Sequence, residues 1–194
     1  MKHQILRKIT SKTIIRLITL LLIIPFNSKS QNLDSIVNID KYVESIDSLY
    51  SSFITLKENA FKESEKLSLS ITIFEGVFLG SKGVESNTEG GFDVKVFKRD
   101  SNNLIFRIQF EGGKRDSYVT KTFYYNNENL VYAFITVRKW NDDETNSFKK
   151  IEYYQNNKIL KTKLENRMPK LVDNSLVVQS LFDDGTRYLR EYNE

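Results

Sequence analysis

The sequence has no cysteine and only one histidine, His3, close to its first residue. Without thiols the chain forms no disulfide, and beyond His3 it has no nitrogen or sulfur side chain of the kind that holds zinc, copper or iron. The same absences exclude Ser-His-Asp and Cys-His catalysis and thiol redox chemistry. Phosphate-binding motifs of the forms G-x-x-x-x-G-K-[ST] and G-x-G-x-x-G are also missing. We therefore predict no cofactor, no transition-metal site and no catalytic residue of these classes.

The first 30 residues have the pattern of a secretory signal peptide. Basic residues without any acidic residue precede a short apolar run at 17–24, and the small residue Ser30 follows. With its flanking residues the run is about 10 residues long, within the ~7–15 of a signal-peptide core and short of the ~20 that span a bilayer. Pro25 ends the apolar helix near the expected cut after Ser30. We expect export of residues 31–194 to the periplasm or beyond, with an uncleaved signal anchor as the alternative.

The charge balance changes when the leader is set aside. The whole chain has 29 basic and 25 acidic residues, a formal net charge of +4. Six of the basic residues lie in the first 30, so that residues 31–194 carry 23 basic and 25 acidic residues, well mixed along the chain. This balance removes the electrostatic argument for nucleic acid as a partner. Contact with a membrane is expected only through the leader before cleavage.

A helical period runs through residues 33–62. Apolar residues recur there at spacings of three and four, at Ile36, Ile39, Val43, Ile46, Tyr50, Phe53 and Leu56. The spacing predicts a long amphipathic helix whose apolar side needs a partner surface.

After Glu65 the apolar period changes to two, which is typical of strands. The alternation predicts successive hairpins, with Gly76 at a bulge or bend, a Gly-rich loop at 80–91, another loop at 111–114 and tight turns at the pairs Asn126-Asn127 and Asn156-Asn157. Strand 130–140 is apolar on both faces and should be covered on both sides.

The last part of the chain, 173–192, has two interpretations. Asp173 is a candidate cap for a helix, whereas Asp184-Gly185 is the turn pair of a last hairpin. With either tail, we predict an α+β fold for residues 31–194, a single domain. In it the long N-terminal amphipathic helix packs on a mostly antiparallel meander sheet of six to eight strands.

The segment from Thr122 to Leu164 contains two similar hairpins, TFYYNNENLV and IEYYQNNKIL. It resembles a YY-x-N-x-K-L hairpin pattern of small exported proteins of Bacteroidetes type, although Asn156-Asn157 stands where Asn-Gly is usual. The resemblance implies export and this type of fold and implies no activity.

Aromatic residues are the first candidates for a binding surface. Adjacent tyrosines in a strand place one ring on each face, and exposed rings can bind a partner. We single out Tyr125, Trp140 and Tyr154 as predicted binding residues, with a buried core role as the alternative.

Charged residues are the second candidates. Carboxylates at Asp142, Asp143 and Glu144 and at Asp183 and Asp184 are candidates for paired acid–base chemistry, and the first three for a hard cation. Lysines form a predicted solvent face or an anion-binding patch, namely Lys121, Lys139, Lys149, Lys150, Lys161 and Lys163. The simpler alternative for the carboxylates is solvated loop charge.

We expect a non-enzymatic exported domain that binds a protein or an envelope component. The alternative is a carboxylate-dependent hydrolase of a cell-envelope polymer, and a third class is an inhibitor or immunity-type protein. A cleft with two carboxylates about 5–9.5 Å apart favours the hydrolase, whereas an aromatic patch without such a pair favours binding.

Overall fold

A computed structural model describes residues 36–57, 68–79, 88–114, 117–139, 147–166 and 180–193. In chain order these form helix α1 (Ile36–Lys57), seven strands and helix α2 (Leu181–Tyr192). The strands are β1 (Leu69–Leu79), β2 (Thr88–Arg99), β3 (Leu104–Lys114), β4 (Ser117–Asn126), β5 (Asn129–Lys139), β6 (Phe148–Gln155) and β7 (Lys158–Glu165). The predicted leader, residues 1–30, lies outside the described residues. Neither α1 nor α2 is long and apolar enough to cross a membrane.

The seven strands form one sheet whose spatial order is the chain order, and each strand pairs antiparallel with the next. The prediction of an α+β fold with an antiparallel meander is confirmed. Strand β5 has neighbours on both sides, and most of its side chains are buried.

Two hairpin turns follow from residues that tolerate a left-handed backbone. Asn127 and Glu128 have φ of 47° and 64°, and Asn156 and Asn157 have φ of 50° and 62°. Two consecutive residues with positive φ form the two-residue turn whose twist matches that of the flanking strands. The second turn lies where the sequence predicts it, whereas the first is centred one residue later, on Asn127-Glu128.

Glycines that the sequence assigns to a bulge and to loops lie within regular strands. Strand β2 already begins at Thr88 and β3 continues to Lys114, so that Gly91 and Gly112 are paired strand residues. Gly76 pairs with Phe92 without a register shift, which corrects the predicted bulge. A Cβ at Gly76 would lie 2.2 Å from Cζ of Phe92, so the glycine makes room for that ring.

One face of the sheet packs against α1. A row of directly opposed residues crosses six strands on this face, at Phe97, Arg107, Tyr124, Tyr132, Tyr153 and Lys161. Helix α1 contacts this row in sequence: Asp40 accepts a hydrogen bond from Tyr153 (2.9 Å), and Asp47 accepts one from Tyr124 (2.8 Å). The Tyr50 ring then meets Phe97 edge-on, with 5.5 Å between centroids.

The opposite face packs against α2. Ser180 caps this helix by accepting a hydrogen bond from the backbone N–H of Asp183, and Leu181 and Tyr188 are buried against the sheet. The helix replaces the alternative hairpin. The predicted cap Asp173 lies outside the described residues, and Asp183-Asp184-Gly185, expected to interrupt the predicted helix, is part of the first two turns of α2. A Cβ at Gly185 would lie 2.8 Å from the Phe123 ring, so the glycine allows the helix to approach the strands closely.

A buried ion pair connects α2 with the sheet. Nζ of Lys121 in β4 lies 2.5 Å from Oδ2 of Asp184, and the two side chains are only 4% and 6% exposed. The prediction of Lys121 as a solvent-facing residue and of Asp184 as a solvated loop charge is therefore wrong. Both point into the layer between α2 and the strands.

Candidate functional site

The three predicted binding residues do not form a surface in the described part of the chain. Tyr125 is fully buried and donates a hydrogen bond to the carbonyl of Gly185 (2.8 Å). Tyr154 is 1% exposed and donates to the Glu152 carboxylate. Both rings lie beneath α2, which corrects their predicted role as exposed binding residues. Trp140 lies outside the described residues, as do Asp142, Asp143 and Glu144.

A groove of about 710 Å³ lies at the end of the sheet where β1 ends and β2 begins. It is lined by three carboxylates, two aromatic rings and five glycines, namely Glu75, Asp93, Glu111, Phe92, Tyr118, Gly76, Gly90, Gly91, Gly112 and Gly113. Because five lining residues have no side chain, the groove reaches the backbone of the three strands.

The three carboxylates of the groove form one row across neighbouring strands. Glu75 in β1 is directly opposite Asp93 in β2, which is directly opposite Glu111 in β3. Arg107 lies four residues before Glu111 in the same strand and contacts Asp47 of α1, so the row is on the α1 face. Like charges directly opposite each other destabilise a sheet. The row therefore concentrates negative charge at a cost in stability.

Glu111 is the carboxylate that neighbouring side chains hold in place. Nζ of Lys95 lies 2.9 Å from its Oε2, the amide of Gln109 donates to its Oε1, and the Tyr118 hydroxyl lies 3.5 Å from Oε2. Burial lowers the pKa of the Lys95 ammonium, and the hydrogen bond and charge of Glu111 outweigh it and leave that pKa raised. Burial and the charge of Glu111 raise the pKa of Tyr118. Lys95 and Tyr118 therefore stay protonated, and the Glu111 carboxylate is compensated.

The hydrogen bonds of Glu111 extend back to α1. Gln109 accepts a hydrogen bond from Arg107, and Nε of Arg107 lies 3.4 Å from Oδ1 of Asp47. The Arg107 guanidinium also lies 4.3 Å from the centroid of the Tyr50 ring of α1. A chain of side chains thus connects the helix with the groove and orients Glu111.

Glu75 and Asp93 are the carboxylates that remain available. Within the described part of the chain neither side chain makes a hydrogen bond or a close ion pair, and Glu75 is exposed. The charge of Asp93 helps to raise the pKa of Lys95. Two carboxylates without hydrogen bonds on neighbouring strands can accept them from ammonium or hydroxyl groups of a ligand.

No protein family, curated protein or solved structure matches this chain.

One aromatic ring, that of Tyr118, lies on the same face of the sheet as the carboxylates and carries the Arg138 guanidinium 4.9 Å from its centroid. The Phe92 ring points to the opposite face, because Phe92 precedes Asp93 in β2. There it lies over Gly76 and packs on Phe110, with 5.6 Å between centroids. An aromatic face next to carboxylates attracts cations by both ring quadrupole and charge. The described residues contain no group of three or more acidic side chains placed to hold a metal ion.

None of the three groove carboxylates is among the candidate residues predicted from the sequence. Each carboxylate lies within two residues of a glycine: Glu75 beside Gly76, Asp93 after Gly91, and Glu111 beside Gly112. An acidic residue close to a glycine on each of three consecutive strands is the only sequence feature that these positions share. It points to a site only when the register shows that the three positions are directly opposite one another.

Proposed function

We propose that this protein is an exported, non-enzymatic domain that binds an envelope component carrying ammonium or other hydrogen-bond-donating groups. The observation that supports the binding site is a pair of carboxylates, Glu75 and Asp93, that make no hydrogen bond in the described part of the chain and lie in a groove beside the Tyr118 ring. Such a groove repels phosphate and nucleic acid, and it favours amines and polyhydroxylated groups. A few convergent polar groups in a concave site are what small-ligand binding requires.

Export is the other part of the proposal. It is supported by the basic and apolar pattern of the first 30 residues. We expect the protein recovered from the cell envelope to begin at Gln31, as read by intact mass and N-terminal sequencing. Recovery of a chain that still begins at Met1 would contradict cleavage.

We also propose that α1 is the amphipathic helix that the sequence predicts. The apolar residues of the period, from Ile36 to Leu56, lie within the bounds of α1. Burial of Ile39, Ile46 and Leu49 against the sheet supports an apolar side that faces the strands.

Removal of the groove charges is expected to weaken binding of a cationic ligand. Calorimetric titration of residues 31–194 with a glucosamine tetramer, compared with its N-acetylated form, gives the dependence on the amine. We expect D93N and the double variant E75Q/D93N to bind the glucosamine oligomer about tenfold more weakly or worse. A hydrogen bond to a charged group contributes about 1.5–3 kcal/mol, and 1.4 kcal/mol is about tenfold in Kd.

The matched control is E191Q, which removes one exposed carboxylate from α2 on the other face of the sheet. It should bind as the unaltered protein does. Equal affinity for both oligomers, or equal loss of binding in E191Q and D93N, would contradict the groove as the binding site.

The register of the groove also supports a second candidate, a carboxylate-dependent hydrolase. Glu75 and Asp93 are directly opposed, and Cβ atoms of such pairs are about 4.5–5.5 Å apart. That spacing leaves their carboxyl groups within reach of the ~5–5.5 Å of retaining or ~6.5–9.5 Å of inverting glycosidases. This candidate predicts slow release of shorter sugars from an envelope polysaccharide, lost in D93N while substrate binding remains. Binding without any turnover in the unaltered protein would exclude it.

A further inference from the structure

Strand β7 is an edge of the sheet and is the most exposed strand described. It pairs with β6 alone, so that its other backbone edge has no neighbouring strand in the described part of the chain. Seven of its eight residues are exposed. Three large apolar side chains of β7 lie in solvent: Ile159 is 55%, Leu160 41% and Leu164 65% exposed. An edge strand with free backbone groups is a template for pairing with another strand.

The two faces of β7 differ in chemistry. Lys161 is opposite Tyr153, so that Lys161 and Lys163 are on the α1 face. Ile159 is opposite Tyr154 and Leu164 is opposite Lys150, which places both on the α2 face. Nζ of Lys163 lies 3.0 Å from the Tyr153 hydroxyl, so its ammonium is held over β6. Glu165 is on the same face as the two lysines. The strand therefore presents a face with two lysines and one glutamate, net positive, and an apolar face along one free edge.

We propose that the β7 edge binds an extended segment of a partner protein as an eighth strand. The segment has alternating acidic and apolar residues. Its carboxylates lie opposite Lys161 and Lys163, and its apolar side chains extend the surface of Ile159 and Leu164. Backbone hydrogen bonds supply affinity in this mode of recognition, and alternate side chains supply specificity. Opposite charges directly across a strand pair are favourable, which selects an acidic partner.

A second copy of this chain is a poorer occupant. Antiparallel pairing of β7 with itself about Thr162 brings Lys161 opposite Lys163, and like charges in that position are destabilising. Pairing about Lys163 brings Lys161 opposite Glu165 but leaves Lys163 opposite its own copy. Lysines on an edge strand are a known protection against self-association. Strand β1, the other edge, has no basic residue and one acidic residue, Glu75, so it offers β7 little complementary charge.

A lipid surface is also a poorer occupant. Anionic headgroups attract lysines, and apolar side chains enter the interface. Lipid, however, cannot satisfy the free N–H and C=O groups of a strand edge, whereas a peptide strand does.

The probe is a fluorescein-labelled nonapeptide of alternating glutamate and valine, with a serine–valine and a lysine–valine peptide as comparisons. Fluorescence anisotropy with the full chain should show saturable binding of the glutamate peptide. We expect at least tenfold weaker binding of the serine peptide and none of the lysine peptide. The variant K161E/K163E should reverse the preference and bind the lysine peptide.

The control for total charge is K41E/K139E, which makes the same change in net charge away from β7 and should keep the preference for the glutamate peptide. Amide hydrogen exchange supplies a second readout, because bound peptide should protect β7 amides that exchange rapidly in the free protein. The groove variant E75Q/D93N should bind the peptide normally, which separates this proposal from the groove.

Four results would overturn the proposal. The first is absence of peptide binding, and the second is equal binding by K161E/K163E and K41E/K139E. The third is β7 amides already protected in the free protein, because the chain's own residues 167–179 or a second copy then occupies the edge. The fourth is binding to vesicles of anionic phosphatidylglycerol that K161E/K163E abolishes when the peptide shows no binding.

Discussion

Replacement of Asp184 by alanine is expected to lower the free energy of unfolding by about 3–5 kcal/mol. The carboxylate is the buried counterion of Lys121, 2.5 Å away, on a face of the sheet that is otherwise largely apolar. Lys121 is directly opposite Phe110 and Ile135 on its two neighbouring strands. Removal of Asp184 leaves the ammonium among these apolar residues without this counterion, so that the Asp184 carboxylate no longer offsets the desolvation of the charge.

The reverse replacement, K121M, should cost less. Nη2 of Arg187 lies 3.3 Å from Oδ1 of Asp184 and is half-exposed, so the carboxylate keeps a second cation when Lys121 is absent. The double variant K121M/D184A removes both charges, so that neither is left buried without its counterion. Apolar replacements of buried ion pairs are often neutral or stabilising.

Urea unfolding of the four proteins, followed by circular dichroism, completes a double-mutant cycle. We expect the order of stability to be D184A lowest, K121M intermediate and the double variant close to the unaltered protein. Equal losses in both single variants that add in the double variant would mean that the two charges do not act as a pair.

Much of the sheet could be predicted from local sequence. The alternation of apolar residues predicts six to eight strands, and the structure has seven. The prediction fails mainly where a glycine indicates a loop and the structure has a strand. Gly91 and Gly112 stay in strands because their neighbours across the sheet supply the packing that they lack. The turn at Asn156-Asn157 follows from one local property, the tolerance of asparagine for positive φ.

Local sequence predicts helix α2 only in part. Ser180 followed by Asp183 is a local start signal for a helix, whereas Asp184-Gly185 is an equally local signal for a turn. Contacts with residues distant in sequence stabilise the helix over the turn: Gly185 packs against Phe123 and Leu130, and Asp184 forms an ion pair with Lys121. No local pattern contains that information, and the same contacts bury Tyr125 and Lys121, which the sequence placed on the surface.

The candidate site depends on register more than on composition. The absences of cysteine and of histidine beyond His3 direct attention to carboxylates, and that reasoning needs no structure. The selection of Glu75, Asp93 and Glu111 among 25 acidic residues requires the pairing of three strands. From the sequence we predict acidic sites in loops instead, because functional residues in other proteins lie disproportionately in loops.

Alkaline pH is expected to unfold the domain cooperatively between about pH 10 and 12. Burial raises the pKa of Tyr124, Tyr125, Tyr132 and Tyr154 above the ordinary value of 10.0, and it raises the pKa of Tyr188 to about 12. In the unfolded chain these phenols ionise near pH 10. The native state therefore binds more protons above that pH, and its stability falls as the pH rises toward the native pKa values.

The loss of stability at alkaline pH is large because several buried phenols contribute to it. One pKa unit corresponds to about 1.4 kcal/mol, so Tyr188 alone removes roughly 3 kcal/mol of stability by pH 12. A domain of this size has only about 5–15 kcal/mol in total. Between about pH 6 and 9 we expect little change, because residues 31–194 contain no histidine or cysteine.

Two spectra measured over the same pH series test this. Absorbance at 295 nm reports tyrosinate, and far-ultraviolet circular dichroism reports the fold. Most of the ten tyrosines should ionise together with the loss of structure. Y188F should move the midpoint to higher pH, because it removes a phenol that only the unfolded state ionises easily, whereas Y118F should move it less. If all ten phenols ionised near pH 10 with the circular dichroism unchanged, the buried tyrosines on both faces of the sheet would have to be open to solvent.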